Sequence, residues 1–168
     1  ELNSVVKDHS RVRGRVCLAF PDLYTIGMSC HGLQVLYAAM NRRDDWACER
    51  VFSPMEDMEA LLREQRVPLC SLETFTPLGQ FDVLGFTLQH ELTYPALLSM
   101  LDLAGIALRW AERGEGDPII IAGGPGALHP ETIREVRNKH ICPPPRFSAT
   151  EKVRLSDPRI GHRRAQRG

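Results

Sequence analysis

Residues 117–124 read DPIIIAGG, and the choice between a two-sided and a one-sided strand here decides the fold. Three isoleucines run straight into Ala122 with no polar residue between them. A strand with one solvated face alternates apolar and polar side chains. A continuous β-branched run is instead buried on both faces, as in a parallel sheet flanked by helices. The run ends in Gly123-Gly124-Pro125-Gly126, with His129 and Glu131 close behind. Such an ending is a phosphate-cradling loop, the rim of a cofactor pocket, or a tight turn at the end of a strand.

Working outward, three more apolar runs bounded by turn residues predict strands: RVCLAF (15–20), ERVFS (49–53) and FDVLGFTLQ (81–89). Gly85 inside the last of these marks close approach by another element. Between the strands lie helical patterns. After the loop PDLYTIGMS (21–29), Ser29 is placed to cap a helix whose Leu33, Leu36, Tyr37 and Met40 share one face. In SPMEDMEALLREQR (53–66), Ser53, Pro54 and Glu56 predict a capping box with proline at the first helical position. Met55, Met58, Leu61 and Leu62 form its apolar stripe, and the acids of 56–64 its solvated side. Pro95 opens a third helix, with Leu97, Leu98, Leu101 and Ala104 on one face and Gly105 as its stop.

Strand and helix alternate three times before the last strand, which predicts an α/β fold with a doubly wound, mostly parallel, flavodoxin-like (Rossmann-like) sheet. A four-strand sheet of this kind is incomplete at its C-terminal side. Right-handed crossovers bring the loops 21–29, 89–94 and 123–130 to one edge, where such sheets bind ligands.

The bulk properties agree with one folded domain. The chain has 168 residues, 43% of them hydrophobic and 25% charged, an ordinary globular mixture. No apolar run approaches the roughly 20 residues of a membrane helix, and no signal peptide is visible. The absence of an initiator methionine fits a chain that begins inside a longer protein. Cys17, Cys30, Cys48, Cys70 and Cys142 form no C-x-x-C pair, which suits the reducing cytoplasm, with Cys17 and Cys70 as small apolar strand residues. Residues 1–131 carry 11 Lys and Arg against 18 Asp and Glu, a net −7, while residues 132–168 carry 10 against 3, a net +7. The second part, with its triple proline at 143–145, reads as a poorly ordered basic tail.

Motif chemistry excludes more than it assigns. No lysine follows the glycines in Walker A register, and the glycine turn follows the fourth strand rather than the first, so neither nucleotide fingerprint is met. G-x-S-x-G is absent. His31, His90 and His129 sit on three loops of the same edge but lack the short spacings of structural zinc sites. Two glycines at a strand end would let main chain approach a flat cofactor, and equally they would serve a turn that needs positive φ. The tail's basic residues could neutralise phosphates, yet Phe147 is its only aromatic, so nucleic-acid binding is the weakest reading.

Taken together, ELNSVVKD, LAFPDLYTIGMSCHGLQVLY, ERVFSPMEDMEALLRE, PLCSLET, FDVLGFTLQHELTYPALLSMLDLAGI and IIIAGGPGALHPE resemble a family of radical S-adenosylmethionine proteins. The likeness is to the cobalamin-binding-like domain that precedes the radical barrel, and it covers residues 1–131 as one domain, with 132–168 as the tail. FPDLYTIGMS and FSPMEDMEALL are its specific motifs. The resemblance implies a cobalamin-type cofactor at the sheet edge, lined by Thr87, Leu88, Gln89, Gly123, Gly124 and Pro125 and bordered by Met28 and Ser29. It implies a radical S-adenosylmethionine domain as partner and no chemistry by this domain alone. The alternative is a structural, docking module with an empty site. The D-x-H-x-x-G motif that gives cobalt a histidine is missing. So is the C-x-x-x-C-x-x-C motif whose three thiolates hold a [4Fe–4S] cluster, so this chain is expected to bind neither that cluster nor S-adenosylmethionine. The break near Glu131 and the charge reversal fit a truncated or frame-shifted reading of a longer gene.

Overall fold

A computed structural model of the chain describes residues 4–128. Four strands form one sheet in the order β2-β1-β3-β4, and every pairing is parallel. They are β1 (Gly14–Phe20), β2 (Trp46–Phe52), β3 (Val83–Thr87) and β4 (Ile119–Gly123). The helices are α1 (Tyr24–Ser29), α2 (His31–Asn41), α3 (Glu56–Gln65) and α4 (Tyr94–Leu103). The α/β, flavodoxin-like sheet expected from the apolar runs is therefore present. The basic tail, with Cys142 and Phe147, lies outside the described residues.

Two apolar cores cover the two faces, as strand alternation requires. On one face Cys17, Ala19, Leu84, Phe86 and Ile120 pack with Leu97, Met100 and Leu101 of α4. On the other, Val16, Leu18, Phe20, Cys48 and Val83 pack with Leu33 and Tyr37 of α2. Gly85 permits the close approach expected of it: a Cβ there would sit 3.3 Å from a methyl of Leu18 on the neighbouring strand. Cys17 is a buried strand residue as expected, whereas Cys70 is half-buried in an isolated bridge to Pro77.

The local expectations fail where tertiary contacts override a sequence signal. The stretch 21–29 is not all loop, because α1 forms over its second half. Gly27 lets that helix lie on Phe52, whose ring would be 2.3 Å from a Cβ at this position. Ser29 does not cap α2. It ends α1, and its hydroxyl donates to the Ile26 carbonyl at 2.7 Å, while Cys30 precedes α2 with no side-chain cap. Nor does Ser53 cap α3. Its amide donates to the Asp22 carbonyl at 3.0 Å, joining two loops, and the helix begins two residues later than the capping box requires. Glu56, Asp57 and Glu59 in the first turn compensate the helix dipole instead.

The stripe on α3 is also largely unburied. Leu62 packs against the core, but Met55, Met58 and Leu61 face outward. The helix is tied to α4 by charge: Arg63 binds Asp102 and Glu59, and Ser99 donates to Glu59. On α2, Leu36 is exposed while Leu33 and Tyr37 are buried; on α4, Leu98 is at the surface. Gly105 stops α4 as expected, at φ +66, with Gly105 N–H donating to Asp102 O and Ile106 N–H to Leu101 O. This is the Schellman pattern that favours glycine.

Candidate functional site

The loops after β1, β2, β3 and β4 all emerge at one sheet edge, because the strands are parallel. Hydrogen bonds join these loops in pairs. Ser53 N–H to Asp22 O joins the first two loops, Leu88 N–H to Gly123 O (2.7 Å) and Gly126 N–H to Leu88 O (3.0 Å) join the last two, and the Tyr94 hydroxyl donates to Gly126 O at 2.6 Å. Gln89 Nε2 lies 4.0 Å from Cys30 Sγ, linking the third loop to the first. The glycine turn, Gln89 and the α1–α2 junction thus share one edge.

The expected site residues do not all face outward from it. Gly123, Gly124, Pro125, Gln89 and Ser29 are exposed, and Thr87, paired with Gly123, is half-buried. Leu88 is fully buried and offers the rim only its main chain. Met28 is half-buried, and its sulfur lies 3.4 Å from Arg50 Nη1 and 3.5 Å from Gln34 Nε2. It is thus turned toward the α2-side core.

The glycines divide in the same way. Gly124 has φ +97, and a Cβ there would lie 2.3 Å from the Leu88 carbonyl oxygen. A Cβ on Gly126 would press on the main chain of His90 at 3.2 Å. Both are required by the packing of one loop on the next. Gly123 alone in this turn has nothing within 4 Å of its absent Cβ, so there is free space beside its Cα. His31 and His90 are exposed on the rim loops, and His129 lies outside the described residues. No group of three or more His, Cys, Asp or Glu side chains among the described residues could hold a metal ion. Exposed Gly123 and Gln89 and half-buried Thr87 thus lie together on this rim.

Beneath the rim lies a charged cluster that the apolar pattern did not reveal. Glu49 and Arg50 are adjacent on β2, point to opposite faces, and are both buried. The Arg50 guanidinium donates from Nε to Glu73 Oε1 at 2.7 Å, with both side chains fully buried, and lies 4.1 Å above the Tyr37 ring. Arg50 N–H donates to the other Glu73 oxygen, and Leu72 N–H to Arg50 O, so segment 71–76 covers the outer edge of β2. Glu49 accepts from the Thr74 hydroxyl and pairs with His9. Arg50 Nη2 is buried with no hydrogen-bond partner among the described residues. Burial also raises the Tyr37 hydroxyl and pushes the Cys48 thiol up to about 12, with the Glu73 carboxylate adding to both. The visible clue was a Glu-Arg pair inside an otherwise apolar strand.

The strand order defines a parallel, doubly wound α/β domain whose loops gather at the strand ends, the edge where sheets of this kind bind ligands. A family model described as the N-terminal region of radical SAM proteins matches residues 32–139, and the chain belongs to that family. The match begins within α2, so FPDLYTIGMS lies outside it, and it runs to Lys139, eight residues past Glu131. No curated protein and no solved structure matches the chain. No helix among the described residues is long and apolar enough to cross a membrane.

Proposed function

We propose that this chain is the cofactor-presenting N-terminal domain of a radical SAM protein, holding a cobalamin-type group at its rim for a radical-generating partner domain in the cytoplasm. The observation that carries this reading is the free space beside the exposed Gly123 on a rim whose loops are hydrogen-bonded in pairs, the first to the second and the third to the fourth. Thr87, Gln89, Pro125 and Ser29 would surround the group, with the backbone of Leu88 and Gly124 beneath it. A bound corrin would supply its cobalt centre. This chain's part is to orient the macrocycle and keep one of its faces from water. The iron–sulfur cluster and S-adenosylmethionine belong to the partner domain, since no three-cysteine motif occurs in the sequence.

The test is co-elution of corrin absorbance with the purified chain after saturation with hydroxocobalamin. Stoichiometric retention, weakened by Gly123→Ala, is expected. A second reading, the docking module with an empty site, draws on the inward orientation of Met28 and Leu88 and on the structural use of Gly124 and Gly126. Loss of all chromophore on gel filtration would favour it and reject the first.

A further inference from the structure

Three separate elements bring polar atoms to one thioether. Met28, near the end of α1, is half-buried. Its sulfur lies 3.4 Å from Arg50 Nη1 on β2 and 3.5 Å from Gln34 Nε2 on α2. The Gln34 amide also donates to the Met28 carbonyl at 3.3 Å, and its oxygen accepts from Arg50 Nη1 at 3.3 Å. Arg50 is fully buried and fixed between Glu73 and the Tyr37 ring. Nη2 of the same guanidinium has no hydrogen-bond partner among the described residues. A thioether is only a weak acceptor. The site therefore gathers more donors than a methionine satisfies, and buried donors without an acceptor are unfavourable.

An oxygen on the sulfur would correct that imbalance. We infer that Met28 is a modification site, oxidised by peroxide to the sulfoxide, whose new oxygen accepts from Gln34 and Arg50 and clasps α1 to α2 and β2. In this step the sulfur lone pair attacks one oxygen of hydrogen peroxide and the O–O bond breaks. The departing hydroxide takes the proton of the attacked oxygen, giving sulfoxide and water. Methionine loses two electrons and the peroxide gains them. The guanidinium beside the sulfur stabilises the oxygen on which negative charge develops.

Sulfoxide formation ordinarily makes an apolar side chain polar and disrupts the packing around it. Here it supplies the acceptor that the donors lack. Met28 leads directly into Ser29 and Cys30 at the α1–α2 junction, so the clasp stiffens the first loop of the rim. This inference is independent of whether a corrin binds there.

Dilute hydrogen peroxide at pH 5, where free thiols carry little thiolate, followed by peptide mapping of the full chain, ranks the five methionines. Met40 is the reference, since it is half-buried against the same core and has no such donors among the described residues. Met28 is expected to oxidise at least about fivefold faster than Met40. In Met55→Leu/Met58→Leu, which removes the two exposed sulfurs, oxidation should raise the thermal midpoint at pH 7 by about 2 °C or more. Adding Gln34→Glu, which keeps an acceptor for Arg50 but replaces the donor with a second oxygen, should abolish that rise. Met28→Gln, with a fixed amide oxygen, should be more stable than Met28→Leu, and the order should reverse at Met40. The proposal is overturned by oxidation of Met28 no faster than Met40, by a midpoint that falls on oxidation, or by a rise that persists with Gln34→Glu. Greater stability of Met28→Leu than of Met28→Gln would also reject it.

Discussion

Replacing Gly124 by alanine separates the two roles that a glycine turn can have. The residue sits at φ +97, where an L side chain is strained by about 1–3 kcal/mol. Its new Cβ would lie 2.3 Å from the Leu88 oxygen, which is main chain and cannot swing aside. Relief requires Leu88 to move, and Leu88 makes two hydrogen bonds with this turn, from its N–H to Gly123 O and from Gly126 N–H to its own oxygen. Weakening both costs about 1–2 kcal/mol more. Gly124→Ala should therefore destabilise the domain by about 2–5 kcal/mol, the sum of those two contributions. Gly123→Ala, one residue away, meets no neighbour and should cost under about 1 kcal/mol, the ordinary effect of a surface change. Urea titration followed by circular dichroism reads both values at constant m. If the two variants unfold at the same urea concentration, the turn is not locked against Leu88 and the division of the glycines is wrong.

Two further outcomes concern the buried charges and thiols. Arg50→Met leaves Glu73 buried without its partner and should cost about 3–5 kcal/mol. Arg50→Met/Glu73→Gln should recover part of that loss, and additivity of the two single changes in a double-mutant cycle would contradict a direct pair. Burial raises the Cys48 thiol from 9.0 to about 12, so the folded state holds its proton where the unfolded chain releases it. Stability should be fully present below pH 9 and decline as pH climbs toward 12, with a shallower decline in Cys48→Ala. A pH-independent urea midpoint across that window would refute it. At about pH 8, iodoacetamide should modify the half-buried Cys30 before Cys17 and Cys48, which peptide mapping can read.

Much of the fold was legible because strand burial is a local pattern. VCLAF, VLGFT and IIIAG must each hide two faces, and a parallel sheet between helices is the arrangement that does so. Gly105 was legible for a related reason, since a helix stop depends on one residue's own φ preference. Capping was less so. Ser29 and Ser53 carry the right side chains, but the loops they belong to use their groups elsewhere, at Ile26 and Asp22. The stripe on α3 was read correctly as apolar, yet it was assigned to the core when only Leu62 reaches it.

By itself the sequence determined the order of elements, the parallel sheet and the edge at which its loops gather, because these depend on apolar periodicity and the handedness of crossovers. The tertiary structure alone decided which side chains that edge displays. Met28 and Leu88 turn inward, Gly124 is taken up by a neighbouring carbonyl, and Gly123 stays open. It also placed Arg50 on Glu73, 23 residues away. Periodicity assigns a residue to a face. Contacts between loops distant in sequence determine what that face meets, and no local pattern encodes them.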